Sequence, residues 1–248
     1  MASIEQETEP LVQRQEVRYL LEEDCGSRIL KLLEDNGFSL DDHQNPITQT
    51  IYFASPSLIT VSGGYIRIRR YIPEGRASRD TISLSPKDEW FLEVKLPTGE
   101  KERIQRSYGE IENLLDPVSR QILAEQFPAG TMLLQGFEDR LIPIVATQWF
   151  RRHFSSVRYR SRVTMDSGVS YYRFLPGEPR GVLMSSRNGL RLEIKTPVGF
   201  ENELPTIQKI LSVSQAEPLP VNWHEDLLRK LYSEFLMRKL GLCLKVAT

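Results

Sequence analysis

The chain has 248 residues, 32 lysines and arginines against 33 aspartates and glutamates, a formal net charge of −1 and 40% hydrophobic residues. That composition belongs to a folded globular protein and excludes a disordered chain, and a net charge so close to zero argues against a general nucleic-acid binder. No run is long and apolar enough to span a bilayer as a helix. The glutamate-rich N-terminus has neither an apolar core nor an Arg-rich amphipathic pattern, so a cytoplasmic location is expected. Cys25 and Cys243 lack metal-ligand or disulfide spacing and read as small apolar residues in a reduced compartment.

In chain order, residues 1–13 are expected to be a flexible tail, and 14–245 one domain. The pattern predicts a strand near Arg14 to Glu22 and a helix from Asp24 to Asn36, with Gly37 placed for a left-handed cap. Alternation then predicts strands at Thr50–Phe53 and Tyr65–Ile72 around a Gly63-Gly64 turn, a polar loop from Gly75 to Asp88, and a hairpin of Trp90–Leu96 with Glu100–Ser107. Two short helices divided by Asp116-Pro117 are expected between Glu110 and Phe127. Strands are expected at Ile144–Arg152, Arg158–Asp166 and Leu190–Thr196, with a loop containing Pro176-Gly177 and Pro179 before the last. A short helix at Thr206–Leu211 follows. A closing helix from Asn222 to Leu240 carries a capping-box Glu225 and an apolar stripe through Leu227, Leu231 and Phe235. The sum is an α+β fold.

Residues two apart share a face of a strand. Tyr65, Arg67, Arg69 and Tyr71 therefore share one face, opposite Ile66, Ile68 and Ile72. Phe91, Glu93 and Lys95 oppose Leu92 and Val94, while Arg191, Glu193 and Lys195 oppose Leu190, Leu192 and Ile194. Arg158, Arg160, Arg162, Thr164 and Asp166 fall together, as do Arg14, Glu16 and Arg18. Any one of these strands reads most simply as a half-solvated sheet. Five strands repeat this design, four of them with arginine on the polar face, and that points further, because forked, permanently charged guanidinium groups match phosphate oxygens and repel one another without an anion between them. The interspersed Glu16, Glu93, Asp166 and Glu193 can pair with those cations or give a divalent metal hard oxygen ligands. Closing such a sheet with the charged face inward makes a cationic tunnel suited to a linear polyphosphate.

The succession Arg14-x-Glu16-x-Arg18-Tyr19, Thr50-Ile51-Tyr52-Phe53, Tyr65-x-Arg67-x-Arg69, Leu92-Glu93-Val94-Lys95, Trp149-x-Arg151 followed by Phe154, Arg162-Val163-Thr164-Met165-Asp166 and Leu192-Glu193-Ile194-Lys195 resembles the catalytic domain of the vacuolar transporter chaperone family. That family lies in the triphosphate tunnel metalloenzyme, or CYTH-like, superfamily, and the resemblance covers nearly the whole chain. It implies an eight-stranded antiparallel β-barrel with flanking helices, Mn²⁺ or Mg²⁺ as cofactor, and polyphosphate, ATP or another triphosphate as partner. It also implies phosphoryl transfer that builds polyphosphate from the terminal phosphate of ATP. By motif, Arg67, Arg69, Lys95, Arg151, Arg162 and Lys195 would act on phosphate, and Arg18 would replace the usual first-strand lysine. Arg103 and Arg160 are further phosphate-binding candidates. Glu193 is the first choice of metal ligand and Glu16 and Glu93 the second, since either of these can instead orient neighbouring arginines.

Two departures shape the alternatives. Arg14 stands where CYTH triphosphatases carry the first glutamate of Glu-x-Glu-x-Lys, which favours the transporter-chaperone branch. The last helix reads Tyr232-Ser233-Glu234-Phe235 where that branch has lysine after the serine, and a carboxylate there repels phosphate. An inorganic triphosphatase or polyphosphatase, and a non-catalytic polyphosphate or inositol phosphate-binding module, are the competing readings. Nucleic-acid binding ranks below them, because Tyr159 alternates away from Arg158 and Arg160 and cannot stack a base beside their phosphate contacts. His43, His153 and His224 show no metal-ligand spacing, and no GxxxxGK[ST], GxGxxG or GxSxG element exists.

Overall fold

The computed structural model describes residues 14–41, 46–54, 65–78, 80–95, 101–114, 116, 140–175, 178–216, 218 and 219. The tail 1–13, the Gly63-Gly64 turn, the second short helix and the closing helix with Glu234 lie outside them. The elements run β1 (Arg14–Leu21), α1 (Cys25–Asp35), β2 (Phe38–Leu40), β3 (Ile47–Ala54), β4 (Tyr65–Ile72), β5 (Thr81–Ser83), β6 (Glu89–Lys95) and β7 (Lys101–Ser107). They continue with α2 (Tyr108–Leu114), β8 (Ile142–Ser156), β9 (Arg162–Phe174), β10 (Arg180–Pro197) and α3 (Glu203–Ile210).

The strands join antiparallel in the order β1-β10-β9-β8-β3-β4-β6-β7, with β2 added to β8 and β5 to β10. The expected eight-stranded closed barrel is corrected on both points. Among the described residues the sheet has ten strands, and its end strands β1 and β7 do not pair. The outer edge of β1 is instead met by a bridge from Tyr19 to Pro218, where the Leu219 amide donates to the Arg18 carbonyl at 2.7 Å. The short strands escape the alternation signal for physical reasons. β2 has three residues directly after the helix-ending Gly37, whose φ of 75° gives the left-handed turn. In β5 only Ile82 is buried.

The apolar faces form two layers on the outside of the sheet. Tyr19, Val163, Leu192 and Ile194 pack under Ile29 and Leu33 of α1 and Leu204 and Ile207 of α3. Ile51, Ile68, Trp90 and Leu92 pack with Tyr108 and Ile111 of α2. Ile29 and Leu33 are four apart, so they share the side of α1 that faces the sheet. Burying each such side chain contributes about 1.5–3 kcal/mol. With the apolar face covered by the helices, the charged residues share the opposite face of the sheet.

The long strands correct two boundaries. β9 begins at Arg162, so Arg158 and Arg160 lie in the turn before it, and the polar loop expected before Leu190 is the first half of an 18-residue β10. Alternation breaks because the register shifts. Gln148 and Phe150 of β8 pair with Ser170 and Ser167 of β9, and Arg187 and Leu190 of β10 pair with Val169 and Ser167. Gly168, at φ 61°, is the residue inserted there. Below it Arg162, Thr164 and Asp166 share the face with Arg191 and Glu193; above it Tyr172 and Phe174 join the outer core, leaving Val169 and Tyr171 packed on Trp149.

Candidate phosphate tunnel

Adjacent strands place the side chains of the charged face in cross-strand rows, and three carboxylate-centred groups stand among those rows. In the first, Glu93 of β6 stands opposite Arg67 of β4 and Arg103 of β7. Its carboxylate accepts from Arg67 Nε at 2.6 Å and lies 3.6 Å from Arg103 Nε. Arg103 also covers the Phe91 ring at 3.6 Å. Glu93 is fully buried. Of the two open roles for Glu93, this geometry is that of orienting arginines.

In the second group Asp166 accepts from Arg151 Nε and an Arg151 terminal nitrogen at 2.6 and 2.8 Å, and from Arg191. Burial raises the Asp166 pKa, but Arg151 and Arg191 outweigh it and hold the carboxyl below its usual value. Arg69, Arg151 and Arg191 all lie over Trp149, with guanidinium carbons 6.0, 5.3 and 5.5 Å from its centroid. Arg69 also donates to Thr50 Oγ1 at 3.1 Å. Tyr71, on the same face, is opposed by burial, yet Arg69 and Arg103 lower its pKa.

In the third group Glu193 of β10 accepts from Arg18 Nε at 2.9 Å and from Lys195 Nζ at 2.8 Å. Glu16, which faces Lys195 across β1, pairs with Arg18 and with Lys195 at 3.7 Å. Burial pushes Glu193 up, but Lys195, Arg151 and Arg18 hold it well below the carboxylate range. Glu16 goes the other way, because burial and then the neighbouring Glu193 outweigh Lys195 and Arg18. Arg162 stands opposite Lys195, its Nε buried with no hydrogen-bond partner among the described residues. His153 hydrogen-bonds through Nδ1 to Thr164 Oγ1 at 3.0 Å, in the row that contains Glu193.

The structure thus gathers Arg18, Arg67, Arg69, Arg103, Arg151, Arg162 and Lys195 on one face with Glu16, Glu93 and Glu193. Lys95 ends β6 opposite Tyr65 and Lys101. Arg160 does not join them. It is exposed in the β8–β9 turn, where its backbone amide donates to Glu203 at 3.0 Å, and Ser161 anchors the same carboxylate. Arg191 and Trp149 are functional candidates that sequence reasoning left out of the site, although their alternation with Glu193 and Arg151 places them on its face.

A divalent metal is tested by the donor set. Glu16 and Glu193 are neighbouring hard oxygen donors, and the upward shift of Glu16 marks a pair that favours a shared proton or cation. No group of three Asp, Glu, His or Cys residues able to hold a metal occurs among the described residues. Glu16 and Glu193 are the two carboxylates that stand together here, and both are paired with Arg18 and Lys195.

No family model matches the chain. Among curated proteins it is similar to small ribosomal subunit protein uS4 of Alcanivorax borkumensis, 28% identical over 157 residues that span 54% of this chain and 71% of that one. That likeness assigns no family. Among solved structures it is similar to a candidate adenylate cyclase from Vibrio parahaemolyticus, with a TM-score of 0.50 and 14% identity over 86% of this chain and 97% of that one. A candidate adenylate cyclase from Bacillus halodurans (TM-score 0.46, 14% identity, 84% and 94% covered) and a chain of the Schizosaccharomyces pombe Mediator head module (0.44, 12%, 83% and 96%) score too low to carry an argument. At 14% identity the Vibrio likeness shows the fold alone, an arrangement of strands shared along nearly all of both chains. No helix of the described residues is long and apolar enough to cross a membrane.

Proposed function

We propose that this chain is a metal-dependent phosphotransferase of the transporter-chaperone kind, extending polyphosphate from the terminal phosphate of ATP inside the cationic face. The observation that supports this reading is convergence: six strands, β1, β4, β7, β8, β9 and β10, carry arginine or lysine on one side of the sheet, with the paired carboxylates Glu16 and Glu193 among them. Phosphoryl transfer asks a protein mainly for alignment and charge neutralisation. Arg69 and Arg151 hold equatorial phosphate oxygens. Arg67 and Arg103, tied by Glu93, fix a neighbouring phosphate, and Arg18, Arg162 and Lys195 neutralise the charge that develops near Glu193. Glu16 and Glu193 would hold Mn²⁺ or Mg²⁺, which supplies Lewis-acid neutralisation of phosphate oxygens.

Incubating the purified chain with ATP and Mn²⁺ and resolving the products on a polyphosphate gel tests this reading. Chains longer than the starting nucleotide support it. Orthophosphate alone moves the reading to triphosphate hydrolysis, for which the neutral acceptor is water. With neither product, and tripolyphosphate still bound, the chain is the binding module that its fully ion-paired carboxylates also suit.

A further inference from the structure

Between the Glu93 and Glu193 groups lies a stretch of the inner face that the ion pairs do not explain. Thr48 and Thr147 are 0% exposed, and their hydroxyl oxygens are buried without a hydrogen-bond partner among the described residues. Thr48 pairs with Trp149 and Tyr71 in register, while Thr147 pairs with Thr50 and Tyr171. Both therefore sit on the charged face, diagonal to one another across β3 and β8. Around them are three guanidinium groups, those of Arg69, Arg151 and Arg191, and one carboxylate, Asp166, which is taken up by Arg151 and Arg191. Arg69 has no carboxylate within ion-pair distance among the described residues; its Nε donates to Thr50.

Buried polar groups are normally satisfied, and a hydroxyl that is dry in the free protein is one that a guest can satisfy. Two neutral donors near the Arg69 guanidinium, which has no carboxylate within ion-pair distance among the described residues, suit an oxygen-rich anion, because they add hydrogen bonds without adding repulsion. No second carboxylate stands here, so this position has no use for a metal, in contrast to Glu16 and Glu193. We propose that Thr48 and Thr147 donate to one phosphoryl group seated over Trp149, and that this seat works without a divalent cation. The inference rests on the tunnel reading above and adds to it two residues, a position and a metal requirement.

Calorimetric titration of the whole chain with sodium tripolyphosphate, once with EDTA and once with Mn²⁺, tests it. Wild-type protein is expected to bind in EDTA. Thr48→Val and Thr147→Val are each expected to weaken binding about fivefold, the effect of one net hydrogen bond, and by the same factor in both buffers. Thr48→Ser and Thr147→Ser keep the hydroxyl and are expected to bind as wild type, which separates donation from packing even if a valine variant folds poorly. Unchanged affinity in folded valine variants overturns the seat. Binding that exists with Mn²⁺ and vanishes in EDTA also overturns it, while leaving the tunnel reading intact. Absence of binding in both buffers overturns the tunnel reading itself.

Discussion

Glu93 and Glu193 occupy similar settings, each the central carboxylate of an ion-pair group with two basic partners, Arg67 and Arg103 for the one and Arg18 and Lys195 for the other. They differ in what stands beside them. The ion pairs of Glu93 are with Arg67 and Arg103, whereas Glu193 stands beside Glu16, whose carboxyl is raised by burial and by Glu193 itself. A single acid between two arginines is a strut. Two acids pressed together among bases cost folding energy, and arrangements of that sort concentrate where chemistry is done. The third group, at Asp166, matches the Glu93 pattern and marks the strut between them.

The contrast can be broken at several points. Glu193→Gln is expected to lower Mn²⁺-dependent turnover of ATP by about 10²–10³-fold, measured as product formed, because it removes a donor from the charge-neutralising end. Turnover near wild type would remove Glu193 from the chemistry. Glu93→Gln leaves two guanidinium groups uncompensated next to a fully buried position, and is expected to cost about 3–5 kcal/mol of stability in urea unfolding. If both variants lose turnover with stability intact, strut and reactive pair are no longer distinct. Arg69→Ala removes a charged donor that no acid balances, and tripolyphosphate affinity by calorimetry is expected to fall about 10–100-fold.

The pH dependence separates the groups further. Asp166 is held below its ordinary value, so its contribution to stability is complete above the unfolded value, near 4, and drains away as pH falls through the lower folded one. Glu16 has the opposite sign: its folded value is raised, so it weighs against folding at neutral pH and is relieved as pH drops through that value. Thermal melts against pH should show Asp166→Asn flattening the acid loss and Glu16→Gln raising stability at neutral pH. A parallel offset in both variants would contradict the assignment. The smallest effect is expected for Arg160→Ala, which should change tripolyphosphate affinity less than about twofold, as for a screened surface charge.

Much of this was legible along the chain, and the reasons for the rest are local. Period-two alternation located β4, β6 and β7 to within a residue or two and assigned Arg67, Arg69 and Glu93 to one face, because each strand is short and unbroken. It misplaced Arg160 because Val157 to Ser161 keeps a strand-like rhythm while forming a turn clamped by Glu203. It passed over most of β9 and half of β10 because Gly168, Gly181 and Gly189 interrupt the pattern; a side chain at Gly181 would meet the Phe174 ring at 2.8 Å, so close packing requires glycine there. The ion-pair partners are a tertiary fact. Nothing in Arg191 or Asp166 alone announces that one aspartate joins two arginines across three strands, or that all of them rest on Trp149.

One inserted glycine decides which residues of upper β9 lie on the charged face of the sheet. Below Gly168 the even-numbered residues of β9 look inward, and above it the odd-numbered ones do. Removing that single residue would roll the far half of the hairpin over, bringing Tyr172 and Phe174 to the inside and sending Tyr171 and Arg173 out. A one-codon deletion would therefore exchange Tyr171 and Arg173 for Tyr172 and Phe174 on that face, removing a cation without a single substitution, so length changes at this spot, more than point substitutions, are the route by which such a scaffold acquires a different lining.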